Sequence, residues 1–132
     1  MNILIATYPF AKNDSLPLTL FYDKGFNVKF NHLGRRLQGD EVKEMLVGVD
    51  GVISGTEPYN RDTICKADKL KVISIVGIGL DNVDFEACCD NNIKVTYTPD
   101  APSPAVADLT VAQIINLLRG IHISDRFVRD RR

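Results

Sequence analysis

Short β-rich runs alternate with helix-like stretches over most of this chain, and that alternation restricts the fold more than any other feature. β-Branched or aromatic residues recur in the runs Asn2–Thr7, Asn27–Asn31, Gly51–Ser54, Leu70–Val76 and Lys94–Thr98. A near-continuous apolar run such as the first is typical of a parallel strand that is covered on both faces. The alternation therefore predicts an α/β fold with a five-stranded parallel sheet and helices on both faces.

The stretches between these runs have helical features. We predict helices over 15–24, 39–49, 61–68 and 81–91, and expect Asp40 and Asp81 to cap the second and fourth of them. Five strands that alternate with helices in this way predict a flavodoxin-like layout.

One long helix is predicted from Ser103 to about Arg129. Its apolar residues cover nearly the whole circumference, which is typical of a helix that is buried on more than one side. We therefore predict a first domain over 1–102, followed over 103–132 by a helix that needs a partner outside this chain. A second domain and a homodimer seam both fit this pattern.

Composition excludes several classes of function. The 132 residues carry a formal net charge of −1, which gives no reason to expect a nucleic-acid or membrane partner. The first residues lack the basic start of a signal peptide, and the apolar runs are too short to span a bilayer. The three cysteines lack zinc-ligand spacing, so we predict reduced thiols, no metal site and a cytoplasmic protein. No catalytic triad can be assembled, and no catalytic residue is assigned.

The segment Gly77-Ile-Gly79-Leu-Asp-Asn82 follows a predicted strand and opens a helix. It has three interpretations. A dinucleotide loop would need glycine where Asn82 stands, and only one further strand follows. A loop for a small carboxylate or phosphate would use the backbone amides of Ile78 and Gly79. The third interpretation is a structural turn without a ligand.

A longer set of motifs resembles a known family. The segment Leu70–Asp84, then Ile93-Lys-Val-Thr, Thr98-Pro99 and Ala105-Val-Ala-Asp108-Leu-Thr110 closely resemble the D-isomer-specific 2-hydroxyacid dehydrogenases, which include phosphoglycerate dehydrogenase. The resemblance implies an amino-terminal, flavodoxin-like substrate-binding domain. A long interdomain helix would then cross to a Rossmann domain that binds NAD.

The resemblance also implies site residues. The amides of Ile78 and Gly79 would bind the substrate carboxylate, and Val106 would approach the nicotinamide. Phosphoglycerate enzymes often carry an Arg-Ser pair at the end of the third strand, and this chain has Ser54 and Gly55 there. A wall of the cleft would be formed by Ser54, Gly55 and Thr56, while Asp81, Asn82 and Asp84 would shape the turn and cap its helix.

We therefore predict the substrate-binding domain of an NAD-dependent oxidoreductase that acts on the CH–OH group of a D-2-hydroxy acid. The family's catalytic arginine, glutamate and histidine have no counterpart here, so the chain alone is expected to be inactive. Its expected partners are a small 2-hydroxy or 2-oxo acid, the Rossmann domain and, in the intact enzyme, a second copy. The alternative is a freestanding dimeric binding or regulatory module for a small carboxylate.

Overall fold

The computed structural model describes residues 1–130, which form two compact units, Met1–Pro99 and a second one from Asp100 onward. The first unit contains five strands and four helices in strict alternation. In chain order they are β1 (Asn2–Ile5), α1 (Leu16–Asp23), β2 (Asn27–Phe30), α2 (Gly39–Leu46), β3 (Gly51–Ser54), α3 (Arg61–Lys66), β4 (Val72–Ile75), α4 (Phe85–Asp90) and β5 (Lys94–Tyr97).

The sheet has the strand order β2-β1-β3-β4-β5, and every pair is parallel. This is the flavodoxin-like order, so the predicted fold class is confirmed. The connection from β1 to β2 runs in one direction across the sheet, and the later connections run in the other. Since such crossovers are right-handed, α1 lies on one face of the sheet and α2, α3 and α4 lie on the other.

The main hydrophobic core lies on the face that carries α2, α3 and α4. Leu4 of β1 is in register with Val52 of β3, which is in register with Ile73 of β4. All three side chains are essentially inaccessible to solvent. The facing helices contribute Val42, Met45, Leu46, Ile64, Ala87 and Cys88 to the same cluster. This packing holds the carboxyl ends of the central strands in fixed positions.

Two predicted helix caps are wrong. Helix α2 begins at Gly39, two residues earlier than a cap at Asp40 allows, because Gln38 is the N-cap and forms a capping box with Glu41. In α4 the cap is Asp84, whose carboxylate accepts a hydrogen bond of 2.8 Å from the Ala87 amide. Asp81 lies in the turn before that helix. The capping role expected of Asp84 is thereby confirmed.

The second unit contains α5 (Ser103–Arg119) and α6 (Ile121–Arg129). The predicted single helix is confirmed as far as Arg119 and is wrong beyond it, because Gly120 adopts the left-handed conformation (φ 61°, ψ 30°) and ends α5. Residues 131 and 132 of the predicted range lie outside the described residues. Within residues 1–130, no single helix has both the length and the apolar character to span a bilayer; α5 and α6 meet those criteria only as a pair, bent by 65°.

Candidate functional site

A cleft opens where the direction of the chain across the sheet reverses. Strand β1 lies between β2 and β3, so the loops that follow β1 and β3 diverge at the carboxyl edge of the sheet. In open α/β sheets this is the usual place for a ligand. The cleft has a volume of about 360 Å³. Its lining residues are Thr7, Tyr8, Pro9, Arg36, Gly55, Thr56, Glu57 and Val76.

The two loops approach each other closely at Gly55. A Cβ atom at this position would lie 3.1 Å from the Thr7 hydroxyl oxygen and 3.7 Å from a Glu57 carboxylate oxygen. The first distance is tighter than an ordinary van der Waals contact, and the second is an ordinary contact. A side chain at position 55 would therefore press against Thr7 where β1 and β3 end.

A chain of buried hydrogen bonds supports the floor of the cleft. The Tyr59 hydroxyl donates to the Ser54 hydroxyl (2.9 Å), which donates to the Glu57 carboxylate (2.6 Å). The same carboxylate accepts a hydrogen bond of 2.7 Å from the Gly55 amide. Burial raises the pKa of Tyr59, which keeps its phenol protonated as the donor that the chain requires. The hydroxyl of Ser54 and the amide of Gly55 are thus both engaged within the protein.

The Gly77-x-Gly79 turn directly follows β4, and Val76 at its start lines the cleft. Gly77 has a φ of 155°, which L-residues rarely adopt, and its carbonyl accepts a hydrogen bond of 3.0 Å from the Thr98 amide. Within residues 1–130, the backbone amides of Ile78 and Gly79 donate to no acceptor. No heavy atom lies within 4 Å of the position that a Cβ of Gly79 would occupy. Two free N–H groups therefore lie in the turn that follows Val76, and such groups bind anions.

Asn82 joins this turn to the loop after β3. Its side-chain amide donates to the carbonyls of Glu57 (2.7 Å) and Gly55 (3.3 Å). Its own carbonyl accepts a hydrogen bond of 2.7 Å from the Tyr59 amide. The predicted role of Asn82 in shaping the turn is confirmed.

The structure brings together some of the predicted site residues. Gly55 and Thr56 line the cleft, whereas Ser54 lies fully buried beneath it and acts through Glu57. Ile78 and Gly79 are not among the lining residues and follow Val76, which lines the cleft. Val106 belongs to the second unit, and its approach to a nicotinamide stays a prediction.

Sequence reasoning missed six of the lining residues, and two of these, Arg36 and Glu57, are charged. Glutamate is rarely buried, so nothing in the hydrophobic pattern predicts that Glu57 lies beneath the cleft. Its position three residues after Ser54, just beyond the predicted third strand, is the one feature that could have identified it. Arg36 lies in the loop between β2 and α2, and only the strand order brings that loop to the cleft.

The sequence matches the profile described as D-isomer specific 2-hydroxyacid dehydrogenase, catalytic domain, over residues 7–124. It is 41% identical over 87 residues to a D-3-phosphoglycerate dehydrogenase from Methanocaldococcus jannaschii, a match that covers 64% of this chain and 16% of that protein.

Solved structures of this fold are also similar. The TT0316 protein from Thermus thermophilus matches with a TM-score of 0.85 and 30% identity, over 98% of this chain and 40% of that one. An NAD+-bound 3-phosphoglycerate dehydrogenase from Entamoeba histolytica matches with a TM-score of 0.75 and 30% identity, over 88% of this chain and 38% of that one. The chain therefore spans well under half the length of these relatives.

The predicted resemblance is confirmed, and the chain belongs to the D-isomer specific 2-hydroxyacid dehydrogenase family, whose catalytic-domain profile covers most of its length.

Proposed function

We propose that this chain is the substrate-binding part of an NAD-dependent oxidoreductase that acts on the CH–OH group of a D-2-hydroxy acid. The observation that carries the proposal is the pair of free amides at Ile78 and Gly79, in the turn after Val76, which lines a cleft at the reversal point of the sheet. These amides would hold the substrate carboxylate, and the cleft would hold the rest of the acid.

We propose that this chain does not bind a dinucleotide by itself. The side chain of Asn82 stands where such a loop needs glycine and is committed to the carbonyls of Gly55 and Glu57. We propose that NAD is held by a separate Rossmann domain of the intact, cytoplasmic enzyme, with Val106 near the nicotinamide. The chain then contributes to catalysis by fixing the position and orientation of the acid, which is a large part of any bimolecular rate enhancement.

The contacts beneath the cleft would serve the same purpose. The Glu57 carboxylate is only 2% exposed and accepts hydrogen bonds from Ser54 and Gly55. These bonds fix the loop after β3, and Asn82 links that loop to the turn with the free amides. A rigid wall on one side of the substrate carbon would therefore be set at a constant distance from the carboxylate donors.

The alternative is a freestanding dimeric or regulatory module that binds a small carboxylate at the same turn. It is favoured by the exposure of apolar side chains in α5, where Leu117 is 69% and Leu118 80% exposed. In the main proposal these side chains would be covered by the Rossmann domain or by a second copy of the intact enzyme.

Two measurements separate the proposals. The purified 132-residue chain should oxidise no NADH with any 2-oxo acid. The endogenous protein, detected with an antibody against this chain, should be about twice this size or larger, the room that a second domain needs. NADH oxidation by the chain alone would contradict the proposal that this chain binds the acid and a separate Rossmann domain binds NAD. An endogenous protein of only this size would favour the freestanding module.

A further inference from the structure

We propose that Arg36 selects 2-hydroxy acids that carry a second anionic group, a phosphate or a carboxylate, on the carbon beyond the hydroxyl. The inference rests on the proposed function, since the amides of Ile78 and Gly79 would already hold the first carboxylate. Arg36 would then contribute specificity for the far end of the substrate.

Arg36 is the one arginine that lines the cleft in the described part of the chain, and its guanidinium has no partner there. The neighbouring Arg35, in contrast, has a carboxylate partner. Its guanidinium forms two hydrogen bonds with the Glu41 carboxylate, at 2.5 and 2.9 Å. An arginine without a carboxylate partner in a concave site is available to a ligand anion, and its planar fork matches phosphate and carboxylate geometry.

The loop that carries Arg36 is held on both sides of it. The side-chain amide of Asn31 donates to the carbonyls of Ala6 (2.9 Å) and Arg35 (2.7 Å), which ties this loop to the end of β1. On the other side, the side chain of Leu37 is completely buried in the core. The backbone of Arg36 is therefore fixed at the cleft before a ligand arrives, which lowers the entropic cost of binding.

The end of β3 offers no competing cation among the described residues. The strand ends with Ser54 and is followed by Gly55, and both are hydrogen-bonded to Glu57. The carboxylate of Glu57 adds a negative charge at the floor of the cleft, so a second substrate anion needs a positive group nearby. Arg36 supplies that charge from the loop after β2 instead. Lys12, also close by, lies 3.3 Å above the centre of the Tyr8 ring, which itself lines the cleft.

The test compares three acids on the 132-residue chain by isothermal titration or NMR titration. D-Glycerate carries one anionic group, D-malate has a second carboxylate and D-3-phosphoglycerate has a phosphate. The variants are Arg36→Gln, Arg36→Lys and Lys69→Gln, which removes the same charge from an exposed turn at the opposite edge of the sheet.

We expect the wild-type chain to bind D-3-phosphoglycerate, D-malate or both about tenfold or more tightly than D-glycerate, as one charge-assisted contact predicts. Arg36→Gln should abolish this preference and leave D-glycerate binding within about twofold, Arg36→Lys should retain part of it, and Lys69→Gln should retain all of it. A preference for D-3-phosphoglycerate alone assigns the second group as a phosphate, a preference for D-malate alone assigns it as a carboxylate, and a preference for both means that Arg36 accepts either anion.

Two results would overturn the inference. If the dianionic acids bind no more tightly than D-glycerate, or if Arg36→Gln leaves their preference intact, Arg36 is not the selector, while the carboxylate site and the proposed function stand. If none of the three acids binds, the proposed function falls together with this inference.

Discussion

The side-chain amide of Asn82 donates a 2.7 Å hydrogen bond to the backbone carbonyl of Glu57. This bond connects the turn after β4, where the free amides lie, to the loop after β3, which forms a wall of the cleft. A backbone bridge between Tyr59 and Val83 reinforces the connection. The proposed carboxylate donors and the cleft wall are therefore parts of one structural block.

Asn82→Ala should lower the free energy of unfolding by about 1–2 kcal/mol, because the carbonyl of Glu57 loses its donor. It should also weaken 2-hydroxy acid binding, since the turn and the wall are no longer joined. Urea unfolding and a titration with D-glycerate measure the two effects. The control is Asn13→Ala, in the exposed loop after β1, which should change neither. Equal stability of the two variants would contradict the account of Asn82.

The two glycines of the turn should respond differently to alanine. Gly77→Ala places a side chain on a backbone with φ 155°. It should cost about 1–3 kcal/mol of stability. Gly79→Ala has open space for its Cβ and should remain nearly as stable as the wild type. It should nonetheless weaken acid binding, because the new methyl group stands beside the free amides. Thermal unfolding and acid titration of both variants provide the comparison; a strongly destabilised Gly79→Ala would contradict it.

Removing different donors from the buried hydrogen-bond chain beneath the cleft should lower the free energy of unfolding by different amounts. Tyr59→Phe removes one neutral donor and should cost about 1 kcal/mol. Ser54→Ala removes the donor to the buried Glu57 carboxylate and should cost more, about 1.5–3 kcal/mol. Tyr22→Phe, at a side chain that is 55% exposed, is the control and should be neutral. Chemical denaturation measures all three, and a Ser54→Ala variant as stable as the wild type would exclude the support role.

The capping box of α2 predicts a pH dependence. Hydrogen bonds from Arg35 and from the Gln38 amide lower the pKa of Glu41 from 4.5 to about 2. A lowered folded-state pKa means that Glu41 stabilises the fold fully above pH 4.5, and that this contribution is lost as the pH falls from 4.5 towards 2. Glu41→Gln should therefore be less stable than the wild type at neutral pH, and the difference should shrink over that interval.

The measurement is urea unfolding of both proteins at several pH values. Glu44→Gln, at an exposed position of the same helix, is the matched control and should show no such convergence. A Glu41→Gln difference that stays constant from neutral pH down to about pH 2 would contradict the assigned ion pair.

Local patterns were sufficient to predict the five strands, their parallel arrangement and the turn at Gly77. Short β-rich runs indicate the strands, their alternation with helices indicates a parallel sheet, and the paired glycines indicate the turn. Element ends were less predictable. The run Leu70–Val76 yields only β4, Val72–Ile75, since a strand ends where its neighbours stop pairing and the sequence does not state the register. The break at Gly120 was missed because the apolar pattern continues through it, while a single left-handed residue ends the helix.

The cleft was harder to predict than the fold. Arg36 and Gly55 lie on different loops, and only the order β2-β1-β3 brings those loops together. The burial of Glu57 was equally hard to predict. Its donors are a serine side chain and a backbone amide, and neither of these indicates a buried carboxylate in the sequence. The turn could be identified from its glycines, whereas the residues opposite it depend on the packing of the whole sheet.

The most direct test of the proposed carboxylate site is an NMR titration of the 15N-labelled chain with D-glycerate. Binding at this turn should give saturable shifts of the Ile78 and Gly79 amide resonances, with smaller changes at Gly55 and none at Gly48, whose amide is bonded to Asp68 away from the cleft. Saturable shifts centred on any other part of the chain, or no saturable shift at Ile78 and Gly79, would contradict the assignment of this turn as the carboxylate site.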